Sequence, residues 1–221
     1  MSQIDYYSQP ADLRLSPELA LTDEQEGALR AFTWERVVAG EADLDSYLEW
    51  ACDEFPEQEQ HTLSEVFATV SEARRTQIAS WPPALRTTAL MTAFSELAEI
   101  GIVARGNFTC CGTCASSEIW DERDDSRTWR GYVYFHAQDA ERIPAERATY
   151  LGYGVFLDAY LPKSEWDALS DQAKDDTYTR LVRELMSEAT DVFQRHGIEV
   201  EWTGDLDVRI LVQNVDWYIE V

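Results

Sequence analysis

The chain has 221 residues, enough for a substantial core in one large or two small domains, and 45% of them are hydrophobic, which excludes global disorder. Acidic residues outnumber basic ones 42 to 18, for a net charge of −24, so phosphate backbones and anionic membrane surfaces repel it at long range. Neither nucleic acid nor a membrane is therefore an expected partner; the acidity fits a solvated surface or, as the alternative, a non-catalytic inhibitor- or immunity-like protein that holds a basic partner by electrostatic complementarity.

The first hundred residues carry helical periodicity. Thr22-Asp23-Glu24-Gln25 spells a capping box and opens a helix that Gly40 closes. Leu44, Tyr47, Leu48, Ala51, Cys52 and Phe55 recur at helical spacing until Pro56, which places Cys52 in the core. A third stripe, Leu63, Val66, Phe67, Val70 and Ile78, runs to Trp81-Pro82-Pro83, with His61 solvated near its start. Leu90, Ala93, Phe94 and Leu97 mark a fourth helix ending at Gly101.

From Ile102 the pattern changes. The spacing predicts a strand over 102–108, a short helix over 111–122 and a charged loop to Arg130. Gly131–His136 and Tyr150–Phe156 then read as strands rich in aromatic and β-branched residues. Gly152-Tyr153-Gly154 within the latter points to a bulge or a close approach. Tyr178 to Phe193 gives a strong amphipathic helix closed by Gly197. Ile198, Val200 and Trp202 alternate with Glu199 and Glu201, giving a strand with one wet face, and a last strand runs from Val208 to Val215. The expectation is an α+β protein: a helical layer over 1–100, then a ferredoxin-like β-α-β-β-α-β-β sandwich over 101–221 with its helices on one sheet face.

No stretch approaches the ~20 apolar residues of a membrane span. Met1-Ser2-Gln3-Ile4-Asp5 lacks the basic and apolar regions of a signal peptide. A cytoplasmic location is expected, where thiols stay reduced and the Asn107-Phe108-Thr109 sequon is idle.

Three of the four cysteines fall in Cys110-Cys111-Gly112-Thr113-Cys114. A C-x-x-C at a helix start sets a thiolate near free N–H groups and lowers its pKa, with Cys111 the expected exposed thiolate. The same sulfurs, three and four residues apart, can also face one ion, zinc first, which asks for four Cys or His ligands. His136 is the candidate for the missing ligand; strand alternation sets it on one face with Tyr132 and Tyr134, and Gln138 and Asp139 follow at the strand end. Cys111, Ala115 and Ile119 share a helix face, so a purely packed cluster stays open beside the metal and redox readings. No phosphate-binding loop, dinucleotide fingerprint, H-E-x-x-H or nucleophile elbow is present.

The block from Gly101 to Cys114, with its Phe108-Thr109-Cys110-Cys111-x-x-Cys114 core, resembles the signature of an uncharacterised bacterial family common in actinobacteria. A second block matches as Gly131-Tyr132-Val133-Tyr134-Phe135-His136-Ala137-Gln138-Asp139, and a third as Gly197-Ile198-Glu199-Val200-Glu201-Trp202-Thr203-Gly204. The likeness spans about residues 80 to 217, and Ala115 stands where members often carry Gly. The resemblance implies no activity; it singles out the cysteine turn and the His136 strand end.

Overall fold

The computed structural model describes residues 5–219. The chain forms two compact units, Met1–Arg86 with Tyr218–Val221, and Thr87–Trp217.

The first unit is built on α1 (Asp23–Val38), α2 (Leu44–Glu54) and α3 (Gln60–Ser80). The Thr22 hydroxyl accepts from the Gln25 N–H and the Gln25 side chain accepts from the Thr22 N–H, so the capping box forms as written. Leu29, Val37, Tyr47, Ala51, Leu63, Val66 and Val70 are fully buried together. Each of these leucine and valine side chains contributes about 1.5–3 kcal/mol relative to exposure. The buried Thr33 hydroxyl donates to the Leu29 carbonyl (2.7 Å) and lies 2.8 Å from the Tyr47 hydroxyl. Cys52 is exposed and not a core residue: α2 buries Tyr47, Leu48 and Ala51, and Cys52 sits at the edge of that stripe. His61 is solvated, as expected, beside Glu65.

The second unit contains α4 (Ala89–Glu99), β1 (Ile102–Arg105), α5 (Gly112–Glu118), β2 (Gly131–Tyr134), α6 (Ala137–Ala140), α7 (Ile143–Glu146) and β3 (Ala148–Val155). It continues with α8 (Lys163–Ala168), α9 (Asp171–Arg195), β4 (Glu199–Glu201) and β5 (Ile210–Gln213). Periodicity alone groups α4 with the N-terminal helices; in space Phe94 packs on Phe135 and Phe193, and α4 belongs with the sheet.

The five-stranded sheet runs β1-β2-β3-β5-β4, with β1 and β2 parallel and the remaining pairs antiparallel. The chain is thus mixed α and β as anticipated, with α6 and α7 standing between β2 and β3, but the ferredoxin-like arrangement is not found. That fold splits its first β-α-β unit with an inserted strand. Here β1 and β2 pair directly, Ile102 opposite Gly131, and β3 lies on the outer side of β2.

Helices also cover both faces of the sheet, not one. Ile102, Val133, Phe135, Leu151, Ile210 and Val212 point to the face of α4 and α9. On the opposite face, Val103 and Tyr134 pack with Ala115 of α5 and Ile119. The reason lies in the strands themselves. The parallel end carries apolar residues on both faces and needs two covers, whereas β4 puts Glu199 and Glu201 in water.

Candidate functional site

The cysteine turn is held by the strand beside it. Beyond β1 the backbone enters the left-handed region at Asn107 (φ 51°) and Thr109 (φ 59°), which turns it sharply. The Phe108 N–H donates to the Phe135 carbonyl (2.9 Å), and the Ala137 N–H donates to the Thr109 carbonyl (3.0 Å). Cys111 is the N-cap of α5 in extended conformation, and its carbonyl accepts the Ala115 N–H at 3.0 Å.

This geometry gathers three sulfurs. The Sγ atoms of Cys110, Cys111 and Cys114 lie within 4.8 Å of one another, and Cys110 Sγ is 3.6 Å from Cys114 Sγ. Cys110 is exposed, while Cys111 and Cys114 are half-buried. The three are therefore not simply core packing. The Cys114 backbone N–H, helped by the Cys114 thiol and the Thr113 N–H, holds the Cys111 thiol below the ordinary cysteine range. Hydrogen bonding to the Cys110 and Cys111 sulfurs pushes Cys114 up to about 11. One thiol is primed to ionise and its neighbour to keep its proton.

His136 is placed close by but outside the sulfur group. Its ring edge lies beside Gly112, where an added Cβ would be 3.6 Å from Nε2. It is only 7% exposed, and Nε2 is 2.9 Å from the Asp139 carboxylate. Asp139, 6% exposed, also accepts from Arg209, whose Nη1 is 3.0 Å from Oδ1 and whose Nη2 pairs with Oδ2. Nδ1 of His136 is buried with no hydrogen-bond partner among the described residues. The strand-end neighbours thus divide. Tyr134 is buried, its hydroxyl 3.5 Å from the Gly112 carbonyl, and burial raises its pKa. Asp139 is in the ion pair, and Gln138 is exposed.

Arg209 has no counterpart in the sequence reading. It joins Asp139 across 70 residues, and a lone arginine opening a strand gives no motif to read. Gly152 and Gly154 do have a visible signal, and its meaning is a close approach: an added Cβ would lie 2.5 Å from the Tyr134 ring or 2.4 Å from the Tyr132 hydroxyl.

No helix among the described residues is long and apolar enough to cross a membrane. No curated protein matches the chain, and neither does any solved structure. The match that stands is to a family model described as "Domain of unknown function (DUF6891)" over residues 22–219, which takes in the helices, the sheet and the cysteine turn alike, and the chain belongs to that family.

Proposed function

We propose that the Cys110–Cys114 turn binds a soft metal ion, with zinc the first candidate. The observation that supports this is the sulfur spacing. A tetrahedral zinc about 2.3 Å from each thiolate needs sulfurs about 3.8 Å apart. One pair already stands at 3.6 Å, and all three lie within 4.8 Å. The remaining gap is about 1 Å, within the reach of side-chain rotation. Three protein ligands leave a fourth place for water or an incoming ligand, the pattern of zinc sites that do more than hold a fold.

Binding displaces thiol protons, most of all the one that Cys114 keeps to about 11, so affinity rises with pH. The reading supposes a reducing compartment such as the cytoplasm, which keeps these thiols free. A thiol-redox function is the second reading, favoured by the depressed Cys111 pKa next to a protonated Cys114. It requires two sulfurs to close to about 2.05 Å, a larger movement than metal binding needs.

Metal analysis of tag-free protein purified without chelator decides between them, with thiols counted in parallel. Near-stoichiometric zinc that disappears in Cys110→Ser/Cys114→Ser supports the proposal. Metal-free protein that interconverts with an intramolecular disulfide favours the redox reading, and thiols that do neither remove both.

A further inference from the structure

A second feature of the same unit is a cleft of about 370 Å³ against β2 and β3. We propose that it is a binding site for a small organic cation, an amine or quaternary ammonium. This goes beyond the metal reading and does not depend on it.

The volume falls in the range of small-molecule sites. Four tyrosines line it, Tyr132, Tyr134, Tyr153 and Tyr178, with His136 among them. The strand glycines make room for this arrangement. Tyr134 and Tyr132 lie over Gly152 and Gly154, where a Cβ would come within 2.5 Å of each side chain. The two rings are within 18° of parallel, with centroids 6.0 Å apart. Burial raises the pKa of both phenols, so the rings stay neutral. Neutral phenol faces attract cations through their quadrupole, more strongly where water is excluded.

The charges at the cleft select the sign of the ligand. Arg209 lines it, but its guanidinium is taken up by the buried Asp139 carboxylate and the Tyr150 carbonyl. An anion competing for Arg209 would strip the buried Asp139 carboxylate of its arginine and leave it only His136, a costly exchange. Asp207, also at the cleft, has no ion pair among the described residues. His136 points Nε2 at a carboxylate that can only accept, so in the neutral ring Nε2 carries the proton and Nδ1 is an acceptor. The cleft therefore offers phenol rings and an unspent carboxylate within a chain of net charge −24 that concentrates cations near it.

The test titrates choline, its neutral isostere 3,3-dimethylbutan-1-ol and the carboxylate 3,3-dimethylbutanoate into the protein, followed by chemical shifts of the tyrosine rings. Choline should bind saturably, and the neutral isostere about tenfold more weakly. Tyr178→Leu should weaken choline about tenfold, and Asp207→Asn about fivefold. Circular dichroism checks that both variants fold. Glu72→Gln, which removes one acid from the other unit, should leave binding unchanged. The same titration on zinc-free Cys110→Ser/Cys114→Ser should also give the wild-type affinity, so failure here is separate from failure of the metal reading. Equal binding of choline and the neutral alcohol, preference for the carboxylate, or no saturable binding of choline at millimolar concentration would each overturn the proposal.

Discussion

Replacing Asp139 by Asn tests whether the ion pair behind the cysteine turn holds this part of the fold. The substitution is isosteric, so packing is preserved and the hydrogen bonds alone change. Arg209 donates to both carboxylate oxygens, and His136 Nε2 faces Oδ2 at 2.9 Å. Whichever way the amide turns, its NH₂ meets a donor. Breaking one partner of a fully buried pair costs about 3–5 kcal/mol. The Arg209 side chain, however, is 42% exposed and regains water when released, which lowers the expected loss to about 2–3 kcal/mol. For a chain of this size that is a fall in Tm of about 5–10 °C. Urea unfolding followed by both circular dichroism and tryptophan fluorescence measures it, because two compact units need not unfold together. A loss under about 0.5 kcal/mol would show the pair to be solvated surface chemistry and refute the reasoning.

The remaining predictions concern packing, thiols and pH. Gly131→Ala should destabilise more than Gly154→Ala, since its Cβ would meet the fixed Gly154 carbonyl at 2.4 Å and Leu185 at 2.5 Å, where the latter meets only the far end of one side chain, the Tyr132 hydroxyl and ring; overpacking of this kind costs about 1–3 kcal/mol, and equal Tm values would contradict the register. Limiting iodoacetamide at pH 8 should label Cys111 ahead of Cys114, read by peptide mass spectrometry, because the first ionises early and the second holds its proton to about 11; labelling in the reverse order would refute the assignment. Arg130 holds Glu188 below the ordinary carboxylate range. Because the folded pKa is the lower one, its stabilisation is complete at neutral pH and is lost as pH falls through the folded-state pKa, below about 4.3. Glu188→Gln should flatten the acid limb of the unfolding curve by a fraction of a kcal/mol, as expected of an exposed pair; an unchanged limb would deny the linkage.

Local signals in the sequence translate directly into local structure. The Thr22–Gln25 box, the glycines at 40, 101 and 197 with their positive φ, and the wet face of β4 are all as read. Each depends on neighbours within a turn or a strand. The sheet order does not, because nothing in β1 or β2 states whether a strand is inserted between them; the pairing of Ile102 with Gly131 is a tertiary choice. Cys52 shows the limit of periodicity at a stripe's edge, where one position further round the helix faces water. The site divides along the same line. Cys110, Cys111 and Cys114 are adjacent in sequence and therefore visible, and the lowered Cys111 pKa follows from its place at the start of α5. His136 was legible as a neighbour, but its partner is Asp139, and Arg209 reaches that carboxylate from a distant strand.

The central claim is that three sulfurs converge on one ion, and cobalt substitution tests it most directly. Co(II) titrated into the reduced, metal-free protein under anaerobic conditions should give intense visible d–d bands and thiolate charge transfer, saturating at one equivalent. Cys111→Ser should weaken the charge-transfer band by about a third, and Cys110→Ser/Cys114→Ser should abolish it. A pale octahedral spectrum without charge transfer, or one that the double substitution leaves intact, would contradict the account.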